Sequence, residues 1–360
     1  VDRDESRFAQ ASRQMFEAAV LPEWKKDERH DGGWVVPMVQ GRERLNKPPG
    51  IYWLQAASAW VLTGGHPEDD AIWMYRVPSL LAGLVTVLVT WRIGLSMFDA
   101  RAGWLGASLL AVSPVFVWEA HQARADMVMV AATVVAVWGL WKTKQQSSKA
   151  AKQQIGREPE QQNSRAAEQQ IRRGGGGRRG WGVGLGWVVL MWVAVGVGVM
   201  VKGPITPMVV GLTALGCCFA AREWAWLWRL RPALGVVIVV AMVGPWVWLV
   251  SERVGLAAYA RIVFDEVIGR SGGAREGHWG PPGYHALFML GLFWPGCMLT
   301  GLGVWRAWGR VWGVWRDRKP DRQGGRAGRG VRERRPPLRL GFLLVWLIPS
   351  WVVFELVMTK

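Results

Sequence analysis

The sequence predicts an all-α integral membrane protein built as a multi-span helical bundle. Of its 360 residues, 51% are hydrophobic, with 26 Trp and 45 Gly, and several apolar runs approach the ~20 residues that a membrane-spanning helix needs. Most of the positive charge lies between such runs, and ionisable residues near their ends collect on one side. These observations favour a polytopic membrane protein over a soluble domain.

Eight apolar runs are candidate spanning helices. They lie near residues 76–98, 104–118, 125–141, 181–201, 204–221, 233–250, 284–305 and 340–358. The predicted organisation is an outer loop at 1–75, three spans within 76–141, a basic linker at 142–180, three spans within 181–250, an outer loop at 251–283, a span at 284–305, a basic linker at 306–339 and a last span at 340–360.

The two basic linkers determine the predicted orientation. Residues 142–179 contain 10 Lys and Arg against 3 Asp and Glu, and residues 306–339 contain 12 against 3. Basic loops between spans are typical of the cytoplasmic side of a membrane protein. No nucleic-acid-binding motif accompanies the charge. We therefore expect disordered cytoplasmic linkers and no nucleic-acid partner.

The first loop then faces the extracytoplasmic side. It contains 9 Lys and Arg against 12 Asp and Glu, so it lacks the basic surplus of the linkers. Hydrophobic residues recur at helical spacing between residues 5 and 19, which predicts an amphipathic helix at the membrane interface. Residues 51–64 form an apolar run that is too short to span, and we expect a second interfacial helix there.

Ionisable residues converge on this outer face, near the ends of the predicted spans. Asp126 begins a span directly after Arg124, and Lys202 lies between two spans. Lys47 precedes two prolines that stiffen the entry to the second interfacial helix. The other candidates on this face are Asp4, Glu5, Arg270 and His278. Ionisable groups at a membrane edge are costly unless they are paired or functional, so their convergence indicates a site.

Each residue taken alone also has a structural explanation. Asp4 is placed to cap the first helix, and the helix dipole favours Glu5 beside it. Asp126 is likewise placed to cap its own helix and to pair with Arg124. Basic side chains at span ends often serve only as interfacial anchors, and loop histidines are commonly structural; these alternatives apply to Lys202, Arg270 and His278.

Together the residues predict a transfer reaction. Asp4 and Asp126 would meet a cluster of cations, and a carboxylate can take the proton of an attacking hydroxyl as a general base. Lysine and arginine can neutralise a phosphate leaving group at the lipid interface. Because the outer face has no supply of cytoplasmic nucleotides, a phosphate-linked donor there is expected to be a lipid. The pattern therefore indicates transfer of a sugar from a polyprenyl phosphate.

The motifs of the chain also resemble those of a known family. The stretches DESRFAQASRQMFEAAVLPEW and LNKPPGIYWL are similar to the first outer loop of GT-C membrane glycosyltransferases. The most similar branch is bacterial and relates to the protein O-mannosyltransferases and to the 4-amino-4-deoxy-L-arabinose transferase that modifies lipid A. Further matches follow in the same order: YRVPSLLAGLVTVLVTWRIG, ARAD at 123–126, VKGP at 201–204, GPWVWLV at 244–250 and EVIGR at 266–270.

The resemblance implies roles for the candidate residues. Asp4, with Glu5 beside it, matches the catalytic base. Asp126 matches a position that lines the donor-phosphate cavity, and it is also a catalytic candidate as a second carboxylate at the site. His278 is a candidate for the vicinity of the acceptor or of a metal. The residues expected to contact the donor phosphate are Lys47, Arg124, Lys202 and Arg270.

The resemblance also implies the substrates and the location. The expected donor is an undecaprenyl-phosphate or similar polyprenyl-phosphate sugar, and the acceptor is lipid A, a hydroxyl of a secreted protein or a cell-envelope glycan. The expected reaction inverts the configuration at the anomeric carbon. The expected location is the inner membrane, with membrane lipid around the spans and the active site on the extracytoplasmic side.

The chain departs from the family pattern at three places. Some relatives carry a glutamate before the Lys-Pro pair, and in the arabinose transferase it helps to bind a metal; Asn46 stands at that position here. No cofactor is therefore assigned, and dependence on a divalent metal stays open. Relatives also have a spanning helix before the Asp-Glu pair and continue past a motif similar to the final MTK, so we expect truncation at both ends.

Two other functions remain as alternatives to an enzyme. The first is a transporter or flippase for a lipid-linked sugar, which would be expected to carry charges in mid-span and repeated halves. The span interiors here are nearly uncharged, apart from Glu355 in the last one. The second is an inactive subunit of envelope assembly that keeps the fold.

Overall fold

The computed structural model describes residues 3–45, 47–161, 181–267, 284–316 and 338–356. Within these ranges the chain is almost entirely α-helical, apart from a two-stranded antiparallel hairpin of β1 (Met38–Val39) and β2 (Arg42–Glu43). The candidate residues Arg270 and His278 lie outside the described residues, as do Asn46 and residues 162–180 and 317–337 of the two basic linkers.

Most of the helices follow the apolar runs of the sequence, but the helix at Leu256–Val267 lies within the stretch that the sequence analysis assigned to the outer loop at 251–283. The helices are α1 (Arg3–Val20), α2 (Gly50–Thr63), α3 (Ile72–Met97), α4 (Ala100–Ala111), α5 (Pro114–Ala120), α6 (Asp126–Gln161), α7 (Trp181–Lys202), α8 (Ile205–Ala221), α9 (Trp226–Arg229), α10 (Pro232–Val254), α11 (Leu256–Val267), α12 (Tyr284–Leu292), α13 (Gly296–Arg316) and α14 (Leu338–Leu356). Three single-turn 3-10 helices lie at Glu23–Lys25, Glu28–His30 and Pro67–Asp69.

Several of these helices are long and apolar enough to cross a membrane. In the described residues α3, α6, α7 and α10 meet this criterion singly, and α4 with α5 meets it as a pair bent by 65°. The helices α8 and α14 are apolar but shorter. The predicted class, an all-α integral membrane bundle, is confirmed.

Proline explains where two of the predicted spans are divided. The run near 104–118 is split between α4 and α5, and Pro114 is the first residue of α5. The run near 284–305 is split between α12 and α13, with Pro295 in the gap. Proline has no N–H to donate to the preceding turn and disfavours helical geometry in the residue before it, so a helix ends there.

The helix α6 continues to Gln161, through residues that the sequence interpretation assigned to the first linker. Alanine, lysine and glutamine, which dominate this stretch, are favourable in helices. Lys144 is also buried against the rest of the bundle, where its Nζ lies 2.9 Å from Oε2 of Glu223.

The bundle has two ends, which we call the cap end and the far end. The cap end carries α1, α2 and Asp126, and its core includes Phe8, Tyr52 and Met127. The far end carries Lys144 and residues 222–231, and it contains its own core. Along α6, Asp126 and Lys144 are separated by about 27 Å at 1.5 Å per residue. This distance is close to the ~30 Å hydrocarbon thickness of a bilayer.

The two helices of the first loop cover the cap end as a packed pair. Phe8 of α1 stacks on Tyr52 of α2, with ring centroids 5.4 Å apart and an interplanar angle of 22°. Ser12 donates a hydrogen bond of 2.7 Å to the side-chain oxygen of the buried Gln55. The spacing of hydrophobic residues predicted α1, and the length of a short apolar run predicted α2. Their contact fixes the N-terminal turn of α1 above the spans.

Candidate active site

Arg124 connects the two candidate carboxylates at the cap end. Its Nη2 lies 3.6 Å from Oδ2 of Asp4, and its Nε lies 3.8 Å from Oδ2 of Asp126. A third contact of 3.3 Å joins its Nη1 to Oε1 of Glu119 on α5. The hydroxyl of Ser79 also donates to the backbone carbonyl of Arg124 at 3.2 Å. The guanidinium is therefore held between α1, α5 and α6.

Asp126 also pairs with Lys202, which ends α7. Gly203 follows with φ of 73°, a conformation that favours glycine, and this residue lets the chain turn sharply into α8. The charge of Lys47 acts on the same Asp126 carboxylate. The structure thus brings Asp4, Arg124, Asp126 and Lys202 together, as the sequence analysis expected, with Lys47 close by.

The position of Lys47 depends on a close contact between α2 and α7. Pro48 and Pro49 lead into α2, and the first residue of that helix is the buried Gly50. A Cβ atom at Gly50 would lie 2.6 Å from the carbonyl oxygen of Met200. Only glycine therefore allows the start of α2 to approach the last turn of α7, which carries Lys202.

Gly50→Ala is expected to lower the free energy of unfolding by about 1–3 kcal/mol, because the new methyl group would collide with backbone rather than with a flexible side chain. Thermal unfolding in detergent micelles measures the effect. Gly211→Ala in α8 is the matched control, since no atom lies within 4 Å of its Cβ position. Equal melting temperatures for the two variants would contradict the close-packing argument.

Glu5 occupies a different environment from its neighbour Asp4. Arg76 donates to both carboxylate oxygens of Glu5, at 2.7 Å and 3.0 Å, and the backbone N–H of Ala123 donates to Oε1 at 2.9 Å. Glu5 is 0% exposed, whereas the side chain of Asp4 is 43% exposed. Asp4 is therefore the accessible member of the acidic pair, and Glu5 ties α1 to α3 and to the turn before α6.

The pKa of Glu5 reflects this environment. Burial raises the pKa of the carboxyl, but the hydrogen bonds from Arg76 and from the backbone of Ala123, together with the charge of Arg76, outweigh burial. The pKa consequently lies below its ordinary value of 4.5. Glu5 is held as a carboxylate, engaged by donors on both of its oxygens.

Three contributors were not identified as site residues from the sequence. Arg76 lies within the YRVPS motif, which was noted only as part of the family pattern. Glu119 is an isolated acid in an otherwise apolar stretch, PVFVWEA. Arg7 follows Asp4 by one helical turn, and its Nη1 lies 3.7 Å from Oδ1 of Asp4. An isolated charge in an apolar run is a signal that could have singled out Arg76 and Glu119.

The described residues do not fit a resident metal. Among them there is no group of three or more His, Cys, Asp or Glu side chains arranged to hold an ion. Asp4 faces Arg124, and Asp126 faces both Arg124 and Lys202, so the carboxylates already have cationic partners that would oppose a divalent metal.

Parts of this chain are similar in sequence to known proteins. Residues 46–151 match the family model described as dolichyl-phosphate-mannose-protein mannosyltransferase. Over 251 residues the chain is 23% identical to an undecaprenyl phosphate-alpha-4-amino-4-deoxy-L-arabinose arabinosyl transferase of Edwardsiella ictaluri, and the match covers 69% of this chain and 36% of that protein. Both findings agree with the resemblance noted from the motifs.

Two crystal structures of ArnT from Cupriavidus metallidurans match the whole of this chain. The structure bound to undecaprenyl phosphate gives a TM-score of 0.64 at 24% identity, and the apo structure gives 0.65 at 22%. The chain spans 36% of the curated relative and about half, 52% and 51%, of the two solved structures. These matches show the GT-C multi-span fold, and together the comparisons confirm the resemblance.

Proposed function

We propose that this chain, which resembles the GT-C membrane glycosyltransferases of the protein mannosyltransferase and aminoarabinose transferase type, transfers a sugar from a polyprenyl-phosphate donor to a hydroxyl acceptor. The observation that carries the proposal is the linked series Asp4, Arg124, Asp126 and Lys202 at the cap end. In this series the accessible carboxylate of Asp4 contacts Arg124, and Asp126 links Arg124 to Lys202. This arrangement supports a carboxylate base beside two cations that are proposed to bind the donor phosphate.

In the proposed reaction Asp4 acts as the general base. The acceptor oxygen attacks the anomeric carbon from the side opposite the phosphate, and its proton passes to the Asp4 carboxylate. The bond between the anomeric carbon and the phosphate oxygen breaks, and polyprenyl phosphate leaves with the electron pair. This single displacement inverts the anomeric carbon. The 43% exposure of the Asp4 side chain supports its access to an acceptor.

The cations are proposed to stabilise the leaving phosphate. Arg124 presents a planar guanidinium suited to two phosphate oxygens, and Lys202 supplies a compact charge. Asp126 holds both cations in place before the donor binds. Their side chains therefore need little rearrangement when the phosphate leaves. In this arrangement Glu5 has a supporting role, because it fixes the helix turn that carries Asp4.

The proposed substrates follow from the relatives and from the position of the site. One ArnT structure is of a complex with undecaprenyl phosphate, and the curated relative is named for an undecaprenyl-phosphate-linked sugar. We propose a lipid donor of that class and an acceptor hydroxyl on lipid A, a protein or an envelope glycan. The charge of the linkers supports an inner-membrane location with the cap end on the extracytoplasmic side.

The test is transfer of label by membrane vesicles that contain the protein. Each reaction receives one radiolabelled sugar, linked either to polyprenyl phosphate or to a nucleotide, with matched vesicles that lack the protein. Label is expected to reach a lipid, protein or glycan acceptor only from the lipid-linked donor and only with the protein. Movement of intact donor across the bilayer without transfer would instead favour the transporter function.

Lys47→Ala is expected to raise the apparent KM for the lipid donor roughly 10- to 100-fold, since a hydrogen bond to a charged group contributes about 1.5–3 kcal/mol. The measurement is the dependence of transfer on donor concentration. Lys25→Ala is the control, because Lys25 is an exposed lysine of the same loop that lies over the ring of Trp24. An unchanged KM in Lys47→Ala would remove its role at the phosphate.

A further inference from the structure

A second cationic surface lies at the far end of the bundle, opposite the candidate active site. Residues 222–231, with the sequence REWAWLWRLR, connect α8 to α10 and include the short helix α9. Trp226 and Leu230 of this segment are buried in the far-end core. Its exposed members are Arg222, Glu223, Trp224, Ala225, Trp228, Arg229 and Arg231.

The segment is anchored to the bundle by two polar contacts. Lys144 of α6 has a side chain only 3% exposed, and its Nζ lies 2.9 Å from Oε2 of Glu223 and 4.5 Å from the ring centroid of Trp226. The indole N–H of Trp192 donates a hydrogen bond of 2.8 Å to the backbone carbonyl of Leu230. The segment is therefore held in one place on α6 and α7.

The contact with Lys144 also changes the charge that the segment presents. Glu223 is the only acid among residues 222–231, and a buried lysine of another helix neutralises it. Three arginines in the same ten residues thus give the exposed surface a net positive charge. Without Lys144, the carboxylate of Glu223 would offset part of that charge.

The exposed aromatic rings of this surface are of the kind found at the level of lipid headgroups. Trp228 and Trp224 are 78% and 48% exposed, and the ring centroids of Trp224 and Phe219 lie 4.8 Å apart in an edge-on contact. Exposed indoles at the end of a membrane bundle are typical of the interface between headgroups and acyl chains. The first turns of α10 continue from Arg231 with exposed Val236, Val237 and Val240, which offer an apolar surface for acyl chains.

We propose that Arg222, Arg229 and Arg231, with Trp224 and Trp228, bind the headgroup of an anionic phospholipid in the leaflet at the far end. The guanidinium groups suit a phosphate, and the indoles suit the glycerol region below it. The acyl chains lie along the start of α10. The proposal is independent of the transfer reaction, since Lys144, which anchors the segment, lies about 27 Å along α6 from Asp126 of the candidate active site.

The experiment measures lipids retained by the purified protein in native mass spectrometry, after titration with phosphatidylglycerol or with phosphatidylcholine of the same chain length. The protein is expected to retain phosphatidylglycerol more strongly. The double variant Arg229→Gln/Arg231→Gln is expected to weaken that binding roughly 20- to 30-fold, from the contribution of each basic residue near an anionic surface.

A control variant of equal charge, Lys25→Gln/Arg42→Gln, removes two exposed cations at the cap end and is expected to leave binding unchanged. Trp228→Ala keeps every charge and is expected to weaken the binding of both phospholipids to a similar extent. If the double variant fails to fold, the single variant Arg229→Gln, which changes an exposed residue, is used in the same experiment. Equal retention of both lipids by the wild type, or equal losses in the two double variants, would overturn the proposal.

Discussion

Asp4→Asn is expected to lower sugar transfer by about 10²- to 10⁴-fold, which is the usual contribution of a positioned general base. Asparagine keeps the size of the side chain and its place on α1 but cannot take up the proton of the acceptor hydroxyl. The contacts of Glu5 with Arg76 and Ala123 do not involve Asp4, so the helix turn is expected to stay in place. The measurement is the rate of label transfer from the lipid donor at saturating concentration.

Two further variants make the Asp4 experiment specific. Asp31→Asn changes an exposed carboxylate of the same loop and is expected to leave the rate unchanged. Asp126→Asn is expected to lower the rate through loss of its contacts with Arg124 and Lys202, while the protein remains in the membrane. Full turnover in both Asp4→Asn and Asp126→Asn would remove the proposed mechanism.

The sequence was sufficient to predict the class of fold and the position of most helices. Apolar length and helical spacing are local properties, so they identified α3, α7 and α10 as well as the interfacial helices α1 and α2. They could not define the bend of 65° between α4 and α5, because the angle depends on packing against neighbouring helices. Apolar length and helical spacing also could not predict that α6 continues beyond residue 141, because the polar residues there show no hydrophobic periodicity.

The contacts within the candidate site were harder to predict than its members. Charges near span ends identified Asp4, Asp126 and Lys202, but no local pattern indicates that Arg124 would touch both carboxylates. The partner of Glu5 is Arg76, which lies 71 residues away in the chain. Lys144 and Glu223 are similarly separated, by 79 residues. Such pairs depend on which helices become neighbours, and no local pattern in the sequence shows this.

Glu5→Gln is expected to lower the free energy of unfolding by close to 3 kcal/mol at neutral pH, the lower end of the cost of breaking a buried ion pair. Glutamine has nearly the same shape but no charge, so Arg76 loses its counterion. The cost is at the lower end because the Arg76 side chain is partly exposed to solvent. Glu43→Gln, which alters an exposed carboxylate on β2, is the control and is expected to have little effect.

The pH dependence of the same variant separates loss of the ion pair from loss of packing. The pKa of Glu5 is lowered in the folded protein, so the unfolded chain binds the proton more readily. The stabilisation by its charge is therefore complete above the unfolded pKa and is lost as pH falls through the folded value, below 4.5. Thermal unfolding in micelles from pH 7 down to acid should show the wild type and Glu5→Gln converging. A stability difference that stays constant over this range would assign the effect of Glu5 to shape instead of charge.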